Sequence, residues 1–216
     1  MAGALSFAVL ISGRGSNMLA LADAARTGRI DGNIVCVLSD RADAPGLVAA
    51  AALGLHTQVL GPGSGEDRAA YGRRLHAALA ATGAGLVVLA GFMRILDGGF
   101  VRAWEGRLLN IHPSLLPAHR GLHTHRRVLE SGERQHGCTV HFVTEELDAG
   151  PAVIQGRLAV LPGDDEQALS ARVQRLEHII YPRAVGWFAA GRLIWRDGAA
   201  WLDGRRLAEP VVEELP

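Results

Sequence analysis

The chain has 216 residues, 49% hydrophobic and 20% charged, which is ordinary for a globular protein and enough to bury a substantial core. Its 22 acidic residues balance 22 basic ones, so the bulk charge argues for neither nucleic acid nor an anionic membrane as partner. All the basic residues are arginine, and the lack of lysine excludes a Schiff-base lysine, a pyridoxal phosphate anchor and a Walker-type phosphate loop.

In chain order, "MAGALSFAVLISG" is apolar, lacks a basic leader and runs into a glycine turn, so it reads as a strand and not a signal peptide. "SFAVLIS" (6–12) precedes a helical "NMLALADAAR" (17–26). "NIVCVLS" (33–39) precedes "APGLVAAAALG" (44–54), where Pro45 suits a first helical turn and Gly54 a C-terminal cap. "HTQVL" (56–60), a helix over 67–83 and "LVVLA" (86–90) continue the alternation. Strands apolar on both faces, alternating with helices, predict an α/β, Rossmann-like fold with a largely parallel twisted sheet flanked by helices.

"RLLNIH" (107–112) follows, then an irregular stretch rich in His, Gly and Arg. Next come "CTVHFV" (138–143), "AVIQGRLAVL" (152–161) and a helix from about Asp165 to Tyr181. "GRLIWRDGAAWLDGRRL" alternates around Asp197-Gly198 and predicts a C-terminal antiparallel hairpin. Without repeats or linkers, residues 1–216 read as one domain. Cys36 and Cys138 lie in apolar, β-branched stretches and read as buried reduced thiols. No apolar run approaches a membrane span, so the expected location is cytoplasmic.

Four stretches could carry chemistry. In "LLNIHPSLLP" (108–117), Asn110 and His112 point the same way from a strand that Pro113 stops. Alone, the pair also fits a capped strand with a satisfied histidine. "SGRGSN" (12–17) follows the first strand; Ser16 or Asn17 can cap the helix, and free amides there would bind an anion, though a plain tight turn fits too. "LAGFMRIL" (89–96) could line a pocket for a flat ligand or simply cover the sheet. In "ELDAGP" (146–151), Asp148 is a turn residue unless it meets a histidine, whose protonated form it would favour. "HTH" (123–125) could bind a metal, but no further ligand stands at a recognised spacing, and "AHRGLHTHRR" (118–127) reads better as a flexible, basic, substrate-facing loop.

Together these stretches, with "GLHTHR", "HGCTVHFVTEELDAGP", "EHIIYP" and "AAWLDGRRL", resemble the phosphoribosylglycinamide formyltransferases of purine synthesis nearly end to end. The resemblance implies formyl transfer from 10-formyltetrahydrofolate, as co-substrate, to the amine of glycinamide ribonucleotide, with no metal. It implies Asn110, His112 and Asp148 as the catalytic trio, and Gly15, Ser16 and Asn17 as the phosphate site. Gln174, Arg175, Leu176 and Glu177 would reach the ribose end. Arg68, Met93, Arg94, Ile95, Leu96 and Asn110, with Thr144, Glu145, Glu146, Leu147 and Asp148, would hold the folate. "PAHRG" (117–121) departs from the family's usual lysine, aromatic and proline before the glycine, which bears on loop closure.

Two sister activities share such a core. A methionyl-tRNA formyltransferase would be expected to add a C-terminal tRNA domain, and a formyltetrahydrofolate hydrolase an N-terminal regulatory one; the sequence leads us to expect neither. A non-catalytic nucleotide-binding module could use the SGRGSN turn, but would not need Asn110, His112 and Asp148 together. The expected partners are small molecules, with no nucleic acid and no membrane, and the protein would be a monomer or homodimer.

Overall fold

A computed structural model describes residues 3–214. The first half alternates β1 (Leu5–Ile11), α1 (Ser16–Arg26), β2 (Gly32–Ser39), α2 (Pro45–Ala52), β3 (Thr57–Val59), α3 (Arg68–Ala81) and β4 (Leu86–Leu89). A short α4 (Gly98–Ala103) leads to β5 (Leu108–His112), α5 (Thr124–Ser131), β6 (Gln135–Phe142), β7 (Ala152–Ala159) and the long α6 (Glu166–Ala189). The chain then forms β8 (Leu193–Arg196), β9 (Ala199–Leu202), β10 (Arg205–Arg206) and β11 (Val211–Glu214). The main sheet has eight strands in the order β11-β7-β6-β5-β4-β1-β2-β3, and β6 alone runs against the others.

Both faces of the sheet are covered, and the apolar runs show why. Along β1, Phe7, Val9 and Ile11 enter the core beneath α1, α2 and α6, while Ala8 and Leu10 enter a second core beneath α3 and α4. Strand order sets the site. The chain winds outward from β1 through β2 to β3, then β4 returns to the opposite side of β1. The carboxyl ends of β1 and β4 therefore open a crevice at a topological switch point, where ligands bind in such sheets. Tyr181 braces the next pair of strands there: its buried hydroxyl lies 2.9 Å from the Leu89 carbonyl and 3.0 Å from that of Leu109, and donates between them.

Three expectations need correction, and one helix, α4, was not expected. The last helix does not end near Tyr181 but runs through Pro182 to Ala189. A proline inside a helix costs about 3 kcal/mol, which the fully buried Leu169, Val173, Leu176, Ile180, Ala184 and Val185 offset. α4 forms despite Gly98 and Gly99 because Asp97 caps it, accepting from the Gly99 and Phe100 amides. The His, Gly and Arg stretch is not all loop, since α5 occupies its second half. The tail hairpin turns at Asp197-Gly198, both at positive φ, but β10 adds a third strand, and acidic β11 joins the main sheet parallel to β7. Cys36 and Cys138 are buried and unbridged.

Candidate active site

At the crevice β5 presents Asn110 and His112 from one face, as their spacing requires. The antiparallel neighbour β6 places His141 directly opposite Asn110. His141 Nδ1 is 2.8 Å from the Phe142 carbonyl, which only accepts, so the ring proton sits on Nδ1 and Nε2 is a free acceptor. Asn110 Nδ2 donates to that Nε2 at 3.1 Å, which fixes which way the amide faces. Burial pushes the His141 pKa down to about 4, keeping the ring neutral and the bond intact. The second Asn110 N–H remains for another acceptor. His141 was one of six clustered histidines in the sequence; only the β5–β6 pairing singles it out.

Asp148 does meet a histidine. Its turn, at φ 51°, brings the carboxylate to 3.4 Å from His112 Nδ1, and both side chains are buried. This is an ion-pair distance, longer than a charge-assisted hydrogen bond. The same carboxylate accepts from the Gly121 amide at 2.9 Å and lies 3.9 Å from His141 Nε2. On its other side, His112 Nε2 donates to the His119 carbonyl at 3.0 Å. The Nε2 proton satisfies the His119 carbonyl, and Nδ1 faces the Asp148 carboxylate. The loop over 113–123 thus lies on two of the three trio members. Its unusual residues tie it down: His119 Nε2 is 2.6 Å from Glu133 Oε1, and Arg120 Nη1 donates to Glu146 at 2.6 Å.

Beside the trio, a cavity of about 500 Å³ opens between the loop after β4 and the loop after β6, within the range of small-molecule sites. Met93, Arg94, Ile95 and Leu96 line it, as do Thr144, Glu145, Leu147 and Asp148, and Asn110, His112 and His141 form its polar part. Two expected residues are not brought there. Arg68, in the first turn of α3, is exposed and outside the lining, and Glu146 turns away to Arg120. Conversely, Leu122, His123 and His125 line the cavity, so the 118–127 stretch does face it. His125 Nδ1 contacts His136 Nε2 at 2.9 Å, and burial lowers the pKa of His136 to about 4.

The 12–17 turn faces α6. Gly15, at φ 75°, is the N-cap of α1, and no side chain caps the helix, so neither Ser16 nor Asn17 has the expected capping role. They are used across the chain instead. Gln174 Nε2 donates to Ser16 Oγ at 3.0 Å, and Asn17 Nδ2 donates to Glu177 Oε2 at 2.8 Å. First-turn amides free of a side-chain cap make an anion site. Burial pushes the Glu177 pKa up while the Asn17 bond opposes it. From the 174–177 segment, Arg175 is exposed, whereas the Leu176 side chain is buried in the main core against Gly156 and cannot touch a ligand in the cleft.

Comparison with known proteins gives the family. Residues 5–185 match the formyl transferase family. The chain is 51% identical to a phosphoribosylglycinamide formyltransferase of Escherichia coli over 203 residues, 94% of this chain and 96% of that protein. A phosphoribosylglycinamide formyltransferase structure from Coxiella burnetii superposes with a TM-score of 0.92 at 43% identity, covering 97% of this chain and 99% of that one. A formyltetrahydrofolate deformylase from Pseudomonas syringae shares the fold at a TM-score of 0.85 and 22% identity, covering 93% of this chain and 66% of that one.

Proposed function

The chain belongs to the formyl transferase family, and we propose that it transfers a formyl group from 10-formyltetrahydrofolate to the amine of glycinamide ribonucleotide. The observation that carries this reading is the convergence of Asn110, His112 and Asp148 between an apolar cavity and a free helix N-terminus. The cavity takes the flat folate, with Met93 to Leu96, Thr144, Glu145, Leu147 and Asp148 around it. The amides at Gly15, Ser16 and Asn17 take the phosphate, and Gln174 and Glu177 take the ribose.

The amine nitrogen attacks the formyl carbon, and as the new C–N bond forms the carbonyl electron pair moves onto oxygen. Fixed donors must meet that oxyanion. The free Asn110 N–H is one, and His112 Nε2–H is the other. The His119 carbonyl oxygen, 3.0 Å from Nε2, marks where an acceptor stands, so the loop yields this place to the formyl oxygen. Collapse breaks the bond from carbon to the folate nitrogen, and the proton shed by the amine reaches that nitrogen through a water held by Asp148 and His112. Binding the two substrates side by side supplies much of the remaining acceleration.

The acceptor is a small molecule and not a nucleic acid: arginines and acids balance at 22 each, whereas tRNA binding calls for an extended basic surface. Among the described residues no helix is long and apolar enough to cross a membrane, and we read the protein as cytoplasmic, working as a monomer or homodimer. Formyl transfer from 10-formyltetrahydrofolate, followed separately with glycinamide ribonucleotide and with methionyl-tRNA, tests the reading. Turnover with the ribonucleotide alone is expected; turnover with tRNA alone would overturn it.

A further inference from the structure

Asp40 stands just beyond the end of β2, outside every motif that pointed to the reaction, yet it joins the two loops that border the cleft. Its side chain is 4% exposed. Oδ1 accepts from the Ser12 hydroxyl at 2.6 Å, and Ser12 begins the loop after β1. Oδ2 accepts from Arg94 Nε at 2.7 Å, and Arg94 lies in the loop after β4. Because the Ser12 proton is given to Asp40, the oxygen is left to accept, and it takes the Met93 amide at 2.8 Å. A further bond, Ser12 N–H to the Gly91 carbonyl at 3.0 Å, doubles the seam. The Asp40 backbone is held from behind: a Cβ on Gly61 would stand 2.7 Å from the Asp40 carbonyl oxygen, so the backbone after β3 is pressed against it.

We propose that Asp40 is a positioning residue: through the Ser12 hydroxyl on one side and the Arg94 guanidinium on the other, it sets the backbone of residues 91–96 against the 12–17 loop and so presents the folate-side loop in its binding shape. The physical reason is orientation. A serine hydroxyl beside a backbone amide could donate elsewhere and leave the Met93 N–H unpaired; a buried carboxylate 2.6 Å away forces it to be an acceptor. Ser12 therefore belongs by position to the ribonucleotide-side turn and by hydrogen bonding to the folate-side loop.

This inference rests on the assignment of the two substrates made above, and its test separates the two. In the free protein, amide hydrogen exchange at Met93 should be faster in Asp40→Ala and Ser12→Ala than in wild type, a result that needs no substrate. In steady state, both variants should raise KM for 10-formyltetrahydrofolate about tenfold, with KM for glycinamide ribonucleotide and kcat changed less than about threefold. Asp40→Asn, which keeps an oxygen for Ser12 but sets an amide N–H against Arg94, should fall between. The double variant should be no worse than the worse single one, because both act on one amide. Unchanged folate KM in a folded Ser12→Ala enzyme overturns the proposal, and so does an increase in ribonucleotide KM alone. If Asp40→Ala does not fold, Ser12→Ala and Asp40→Asn carry the same decision. Faster Met93 exchange in a protein whose wild type transfers no formyl group would instead sink the functional reading and leave the seam standing.

Discussion

On the side of the 12–17 turn, the cleft is held by polar bonds that span the chain, Asn17 to Glu177 and Ser16 to Gln174, with a glycine in the left-handed region turning the backbone. On the cavity side the walls are loops whose apolar residues stay exposed, with Met93, Ile95, Leu122 and Leu147 each more than half accessible. One side is a preformed polar cradle, and the other is a greasy mouth that a ligand must finish covering. The trio stands where they meet, and it borrows from both: strand geometry fixes Asn110 and His112, while Asp148 arrives on a turn tied to the overlying loop. Rigid and adaptable parts should therefore fail differently.

The largest failure should be at the junction. His112→Ala, Asn110→Ala and Asp148→Ala should each lower kcat about 100-fold or more while the fold persists, since each removes an oxyanion donor or the group that orients one. Combining them should cost far less than the product, because all three serve one developing charge. A folded His112→Ala enzyme with near-normal turnover is the result that would falsify this assignment.

Acid should separate the two sides by sign. His141 has its pKa depressed to about 4 in the folded protein against an ordinary value near 6.5, so between those values the unfolded chain binds the proton more readily. Stability is then lost as pH falls from about 6.5 to 4, on the order of 3 kcal/mol from this group. Glu177, raised by burial, has the opposite sign: its contribution is present below the ordinary carboxylate value and is lost as pH rises through its folded one. Denaturant unfolding between pH 4 and 8 should show a flatter acid limb for His141→Asn and, for Glu177→Gln, a smaller loss of stability as pH rises above the ordinary carboxylate value. Parallel curves for wild type and His141→Asn would mean the ring is not buried neutral.

How much of this could be read without coordinates follows from which interactions are local. Alternation, proline and glycine punctuation, and period-two side-chain direction placed β1 to β5 and aimed Asn110 and His112, because these are properties of neighbouring residues. The partner of Asn110 was hidden, since His141 becomes its neighbour only through β5–β6 pairing across 31 positions. Whether Asp148 meets a histidine was a conditional statement that folding decided. Burial of Leu176 could not be told from its spacing to Glu177, as both lie on α6 and face different ways. β11 was hidden because Glu213 and Glu214 look like a solvated tail, and edge position lets them stay exposed or half-buried while their backbone pairs with β7.

The preformed side can be broken with one side chain. A Cβ on Gly15 would stand 3.0 Å from the Gly46 Cα and 3.2 Å from the Met18 Cε, in a backbone conformation that β-branched residues avoid. Gly15→Val should raise the ribonucleotide KM about tenfold and lower stability by about 1–2 kcal/mol, leaving folate KM little changed. Inorganic phosphate should compete with the ribonucleotide and not with the folate. Competition against the folate alone would mean the two sides have been assigned in reverse.

The smallest effect is expected at Arg68, and it tests how far the cavity side extends. Family resemblance counts this arginine among the folate contacts, but its place in the first turn of α3 is exposed and outside the cavity wall. A solvent-exposed guanidinium meeting a carboxylate is screened by water and salt, and such pairs are worth about 0.2–1 kcal/mol. Arg68→Ala should thus raise folate KM by no more than about fivefold, leave kcat alone, and lose even that difference in high salt. A larger, salt-insensitive increase in KM would show that α3 moves in to enclose the folate, making the adaptable side of the cleft wider than its cavity.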